Sequence, residues 1–273
     1  MSESCNDNCK TCGQSCAERR EPHSMLAEQN SASNVKKVIG IVSGKGGVGK
    51  SLVTSLLASS LAKQGKRVGV LDADITGPSI PRMFGIEGKA MGSPDGLLPL
   101  VAADGTKVVS TNLLLDDVTD PVIWRGPMIA GVVKQFWSDV VWGDIDYLFV
   151  DMPPGTGDVP LTVFQSLPVD GIVVVTSPQE LVGMIVAKAV KMAGSLKIPV
   201  VGLVENMAYF VCPNCNEKYY IFGESQVDIL AQEYGIAATA QIPTDPTIAA
   251  HCDAGRIDEV DSSWLEDIVA AIA

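Results

Sequence analysis

The sequence has no long apolar run. Its longest, such as GIVVVTS over residues 171–177, are of strand length and fall far short of the roughly 18 to 20 residues that cross a bilayer. No membrane span or membrane partner is therefore expected. An apolar signal-peptide core is also missing from the N-terminus, so the expectation is a cytoplasmic chain whose thiols stay reduced. Clustered cysteines then serve metals more often than disulfides. Basic charge is in deficit, with 20 Lys and Arg against 32 Asp and Glu and a net charge of −12. Non-specific attachment to a nucleic-acid backbone or to acidic lipid is disfavoured, and no nucleic-acid partner is expected. Aliphatic side chains are scarce at the start: of Leu, Ile, Val and Phe, residues 1–34 contain only Leu26. Such a segment cannot offset its ordering entropy and is read as a flexible tail. It nevertheless carries four of the seven cysteines, Cys5, Cys9, Cys12 and Cys16.

From residue 35 onward the pattern changes to one globular domain over 35–273, in a chain 47% hydrophobic with a mean hydropathy of +0.23. Strands are predicted at 37–43, 67–73, 107–112, 147–151, 171–177, 200–206 and 238–242, separated by helical stretches. Runs of Val and Ile without polar alternation suit strands covered on both faces, and the helices between them supply crossovers. The fold class is α/β, a three-layer, doubly wound, mostly parallel sheet. The last segment groups Trp264, Leu265, Ile268, Val269 and Ile272 at helical spacing, which predicts a packed terminal helix.

The sharpest motif is GKGGVGKS, formed by Gly44, Lys45, Gly46, Gly47, Val48, Gly49, Lys50 and Ser51, directly after the first predicted strand. It satisfies the P-loop pattern in the strand–loop–helix context that pattern requires. Glycines let backbone N–H groups curl around phosphate oxygens, Lys50 neutralises the β and γ charges, and Ser51 is a ligand for Mg²⁺. Two acidic sites follow strands. VLDADITGPS places Asp72 and Asp74 at the end of the second predicted strand, and YLFVDMPPGTGD places Asp151 after another. Asp74 is the candidate for orienting an attacking water, Asp72 for supporting Mg²⁺, and Asp151 for holding Mg²⁺ as a Walker B carboxylate. The turn after Asp151, from Pro153 to Gly157, reads as a switch loop near the γ-phosphate.

With Lys45 inside the loop, the chain resembles the deviant Walker A ATPases of the MinD, ParA and nitrogenase iron-protein class. The segments DADITGPSIPRMFGI, RGPM, DMPPGTGD, VENM and CPNC…FGE together resemble its Mrp/ApbC branch, which binds iron–sulfur clusters and delivers them to apoproteins. The resemblance implies the P-loop NTPase fold, a homodimer that sandwiches ATP, and a Lys45 that reaches the partner's nucleotide as a catalytic group beside Lys50 and Asp74. It implies slow hydrolysis, adenine recognition by Asn206, and a base pocket closed by the backbone around Pro243. One departure is Leu52, which stands where the family commonly has a hydroxyl residue after the loop serine.

The stretch FVCPNCNEKYYIF contains Cys212 and Cys215, half of the four ligands that zinc or an iron–sulfur cluster usually takes. Half of a zinc site, a redox dithiol and cluster ligands are the competing readings. A dimer resolves the stoichiometry: two such turns meeting at a symmetry axis supply four thiolates to one bridging [4Fe-4S] cluster. That assignment follows from the resemblance. Cys5, Cys9, Cys12 and Cys16 are spaced 4, 3 and 4 apart, which aligns them on one helix face. They are either a second, intrachain site for a zinc ion or a cluster, or a redox-labile or metal-scavenging tail. The expected function is an ATP-dependent cluster carrier serving apo iron–sulfur proteins. The alternatives are an ATP-gated electron-transfer protein and a MinD-like positioning ATPase with structural zinc.

Overall fold

A computed structural model describes residues 26–74, 79–114, 126–155, 157–178 and 182–273. In chain order its first half contains β1 (Asn34–Ser43), α1 (Lys50–Lys63), β2 (Val68–Asp72), α2 (Ile80–Met83), β3 (Met91–Ser93), β4 (Gly96–Leu98), β5 (Leu100–Val101) and β6 (Lys107–Ser110). Then come α3 (Gly126–Ser138), β7 (Asp144–Asp151), α4 (Asp158–Ser166), β8 (Gly171–Thr176), α5 (Val182–Leu196) and β9 (Val200–Glu205). The chain finishes with β10 (Phe210–Val211), β11 (Lys218–Tyr219), α6 (Val227–Tyr234), β12 (Thr239–Gln241), α7 (Pro246–Asp253) and α8 (Glu266–Ile272).

Eight strands form the central sheet in the order β12-β9-β8-β1-β7-β2-β6-β5. Every pairing is parallel except the edge pair β5–β6. The α/β, doubly wound reading is thus borne out, and its seven expected strands are the parallel body. Both faces of these strands are buried, and the period of two divides them between two cores. In β8, Val173 and Val175 face the core under α1, α7 and α8, while Ile172 and Val174 face the core under α3 to α6. In β7, Tyr147 and Phe149 join the first core, and Leu148 and Val150 join the second. Burying each such side chain contributes about 1.5–3 kcal/mol, which is why unbroken Val and Ile runs specify central strands here.

β1 and β7 begin earlier than their apolar runs. Asn34 pairs with Asp144 in register, and the polar ends are held by Asn34 Nδ2 to Asp144 Oδ1 at 3.1 Å and by the Lys36–Asp146 ion pair at 2.8 Å. The residues just before β1, grouped with the tail by composition, are tied to the body. Ala27 N donates to Ser166 O at 2.7 Å, Trp137 Nε1 donates to Ala27 O at 3.1 Å, and Asn30 Nδ2 donates to Asp95 O at 2.9 Å. Hydrogen bonds hold this stretch, with Ala27 packed on the second core, so a hydropathy argument passes over it. Residues 1–25, with Cys5, Cys9, Cys12 and Cys16, lie outside the described residues. The hairpins β3–β4 and β10–β11 were not expected, since two- or three-residue strands carry no readable period. At the C-terminus, Leu265, Ile268, Val269 and Ile272 are buried as the helical spacing predicts. Among the described residues no helix is long and apolar enough to cross a membrane.

Candidate functional site

All the parallel strands end at one edge of the sheet, and the candidate residues gather there. The loop between β1 and α1 borders a cleft of about 280 Å³, lined by Lys45 through Leu52 with Ser43, Asp74, Ser79, Met83 and Pro154. Gly47 and Gly49 adopt φ of +77° and +85°, a left-handed conformation that side chains other than glycine's resist. A Cβ at Gly49 would also collide with the amide of Asn206. That amide donates from Nδ2 to Val48 O at 3.0 Å, so Asn206 at the end of β9 braces the loop from behind. Val48 is buried in the first core, which anchors the loop between these two glycines.

Below the loop, Lys50 is 5% exposed and Asp151 fully buried. Lys50 Nζ lies 2.8 Å from Asp151 Oδ1 and 3.5 Å from Asp74 Oδ2. Ser51 Oγ donates to Asp151 Oδ2 at 2.5 Å, and Thr54 Oγ1 donates to Asp151 Oδ1 at 2.9 Å. Asp72 stands opposite Asp151 in the β2–β7 register and is 1% exposed. Its Oδ1 accepts from Asp74 N at 3.1 Å, while its Oδ2 has no hydrogen-bond partner among the described residues. Burial and, after it, the negative charge of Asp151 push the Asp72 carboxyl well above the usual carboxylate range. Two buried carboxylates therefore share one cation, Lys50, and one oxygen stays unsatisfied.

This donor set fits Mg²⁺. The ion prefers hard oxygens and is usually held by one or two carboxylates together with substrate phosphates. Among the described residues no cluster of three or more His, Cys, Asp or Glu side chains could hold a metal unaided. Ser51 and phosphate oxygens would have to complete the shell, and the orphaned Asp72 Oδ2 is available to a water of that shell. Pro154 and Gly155 follow Asp151, and Gly155 N donates to Ser43 O at 2.8 Å, which brings the start of the expected switch loop to the cleft. Pro243 is buried, and its neighbours pair with the segment after Asn206 through Ala208 N to Ile242 O at 2.9 Å and Thr244 N to Tyr209 O at 2.7 Å. Neither Pro243 nor Asn206 lines the phosphate cleft. Leu52 lines it and also packs on the first core. Thr54 was missed by the motif reading, although its position one turn after Lys50 puts both on one face of α1.

Cys212 and Cys215 occupy the tip of the β10–β11 hairpin, a tongue at the same sheet edge. Cys212 N donates to Glu217 O and Asn216 N to Cys212 O, both at 2.9 Å, which curls the loop so that both thiols stand at its end. Cys212 is half-buried and Cys215 exposed. Hydrogen bonds from the backbone N–H of Asn214 and of Cys215 lower the Cys212 thiol pKa. Cys215 Sγ approaches Glu217 Oε2 at 3.9 Å, and Tyr219 OH donates to the same oxygen at 3.2 Å. Around this tip Val211, Tyr219, Tyr220, Ile221 and Phe222 are all exposed. A hairpin tip lacks the helix dipole that usually lowers the thiol pKa of a redox dithiol. Cys252 is a half-buried thiol of α7 packed on the first core, and burial raises its pKa.

The model of the NUBPL iron-transfer P-loop NTPases, within the ParA group, matches residues 34–273. The chain belongs to that family. As a NUBPL-type NTPase it is 47% identical over 250 residues to the iron-sulfur cluster carrier protein of Methanocaldococcus jannaschii, covering 88% of this chain and 85% of the relative. A solved nucleotide-binding protein of Archaeoglobus fulgidus in complex with ADP superposes with a TM-score of 0.78 at 48% identity, covering 85% of this chain and 91% of that one. The cell-division ATPase MinD of Pyrococcus furiosus shares the fold alone, with a TM-score of 0.58 at 19% identity over 86% of this chain and 96% of its own. Nucleotide hydrolysis of the general P-loop kind is consistent with membership in this NTPase family.

Proposed function

We propose that this chain is an ATP-binding, slowly hydrolysing carrier that holds a [4Fe-4S] cluster between two copies through Cys212 and Cys215 and passes it to apoproteins. The observation that carries the reading is the tongue: two thiols, with no third ligand among the described residues, raised on a hairpin with an apolar skirt, at the same sheet edge as the phosphate loop. Two thiolates per chain are half of a cluster's usual complement, and exposed apolar side chains around them suit association with a second copy or with a recipient. The relatives named as iron-sulfur cluster carriers support the cargo.

In this reading the loop N–H groups and Lys50 bind the phosphates, and Ser51, Asp72 and Asp151 hold Mg²⁺, which supplies charge neutralisation on the phosphates when bound. Lys50 must leave Asp151 to reach a phosphate, and the two carboxylates it leaves would be compensated by a bound Mg²⁺. Asp74 orients the attacking water, Lys45 reaches across the dimer, and Asn206 with the Pro243 segment receives adenine. Because Asn206 braces Val48, a movement of the loop is felt at the end of β9, from which the tongue departs. ATP and ADP states couple to cargo only by favouring different dimer geometries. The relatives named as cluster carriers favour a cluster that is handed on over one retained for electron transfer.

Anaerobic reconstitution with iron and sulfide tests the proposal. Wild type should bind about four irons per dimer through the tongue, and Cys212→Ala/Cys215→Ala should lose them. A chain without residues 1–25, which spares the packed stretch from Ala27 onward, reports on Cys5, Cys9, Cys12 and Cys16 separately. Retention of iron by the double variant, or zinc in the native protein, would defeat the carrier reading.

A further inference from the structure

Glu205 ends β9 immediately before Asn206 and has no task in the scheme above. It is 1% exposed, and its Oε2 has no hydrogen-bond partner among the described residues. The Ser225 hydroxyl satisfies part of the carboxyl, and the nearby charge is the further carboxylate of Asp228. Burial first, and Asp228 after it, raise the Glu205 pKa. Buried polar atoms are nearly always partnered, so an orphaned carboxylate oxygen points to a missing partner.

The space beside it has a definite shape. A cleft of about 390 Å³ on the α5–α6 side has Glu205 at its floor, Pro178, Val182 and Phe222 as apolar walls, and Glu224 and Gln226 at its rim. Apolar walls ending in a carboxylate match a side chain with an alkyl stem and a cationic head. Phe222 belongs to both this wall and the exposed skirt of the tongue, so a protein seated on the tongue lies over the mouth of the cleft. Glu205 and Glu224 line the cleft, Asp228 stands near, and the chain carries a net charge of −12, so the cleft attracts a partner's basic group.

We propose that this cleft receives a lysine or arginine side chain of the apoprotein that docks on the tongue, its stem between Val182 and Phe222 and its cation on Glu205. The identity of the partner rests on the carrier reading; the chemistry of the guest does not. Seating the cation restores a partner to Oε2 and places a specificity contact beside the thiols. The orphaned oxygen is then the polar anchor of an interface whose periphery is aromatic.

The probe is Nα-acetyl-arginine methylamide, titrated against the whole chain with the Val182 methyl and Phe222 ring resonances followed by NMR. Its neutral isostere, the acetyl-citrulline methylamide, is the control. The expected result is saturable shifts with a Kd of about 1–10 mM for so small a ligand, at least about tenfold weaker binding of the citrulline compound, and loss of binding in Glu205→Gln. Equal binding of the two compounds, or no shift at either resonance, overturns the proposal without need of any variant. Dissociation of the dimer by the arginine probe would show the guest to be a second copy and overturn the assignment to an apoprotein. Slower cluster transfer by Glu205→Gln at unchanged iron loading supports that assignment, and unchanged transfer removes it. Should Cys212→Ala/Cys215→Ala keep its iron while arginine binding persists, the carrier reading falls and the cationic cleft stands.

Discussion

Replacing Lys50 by alanine tests the electrostatics of the phosphate site before any nucleotide is added. Lys50 Nζ and Asp151 Oδ1 are 2.8 Å apart, with side-chain exposures of 5% and 0%. At an effective dielectric constant near 20 the attraction is about 6 kcal/mol, most of it offset by desolvation of both ions. Removing one partner, however, leaves Asp151 and Asp72 buried without a cation, and such a break typically costs about 3–5 kcal/mol. With a urea m-value of about 2–3 kcal/mol/M, the unfolding midpoint should fall by roughly 1–2 M at pH 8. The loss should shrink as pH falls. Asp72 already has a raised folded pKa, so the stability linked to its proton is fully present below the unfolded value near 3.8 and is lost as pH rises through the folded value. Adding Asp151→Asn to the alanine variant should restore much of the loss by removing one of the uncompensated charges. A single-variant loss below about 1 kcal/mol at pH 8, or two losses that simply add, would refute the shared-cation account. Nucleotide-dependent cluster transfer should also be abolished in Lys50→Ala, while loading of the tongue survives.

Gly49→Ala should destabilise by about 2–4 kcal/mol, from a left-handed φ and from collision with the Asn206 amide. Urea unfolding measures it, and a change under about 0.5 kcal/mol would mean that the loop relaxes freely away from Asn206. In the reduced protein, brief iodoacetamide treatment at pH 7 should modify Cys212 at least about tenfold faster than Cys252. The lowered Cys212 pKa enlarges its thiolate fraction, whereas burial raises the pKa of Cys252. Equal rates by peptide mass spectrometry would contradict the hydrogen-bonding of the tongue tip.

Much of the architecture was legible because its determinants are local. The strand signal is carried by stretches such as Ile172 to Val175, in which no polar alternation interrupts the run, and only a strand covered on both faces tolerates that in water. The loop from Gly44 to Ser51 announces itself because glycine spacing, a lysine and a following helix are all sequence-adjacent. Asp72 and Asp151 were recognisable individually as strand-end carboxylates. Their pairing was not, because it depends on β2 lying beside β7, and neighbouring strands are chosen by crossover and packing rather than by any local pattern.

The same division runs through the tongue and the end of β9. The cysteines and aromatics of the tongue stand in the sequence as a motif, but the two-residue strands that raise them have no intrinsic stability and exist only because the body holds both ends of the hairpin. Glu205 reads in the sequence as one more polar residue at a strand terminus. Burial by α5 and α6 alone makes it an orphaned carboxyl, since desolvation is a property of the surroundings. Asn206, which only the resemblance singled out, became a brace for Val48 through a contact spanning 158 positions. The sequence by itself determined the seven parallel strands, the phosphate loop and the inventory of ligands, because backbone propensity and hydrophobic period act over a few residues. The tertiary structure decided which charges share a cation, which thiols face outward and which carboxylate lacks a partner, because those energies depend on distance and dielectric between segments far apart in the chain.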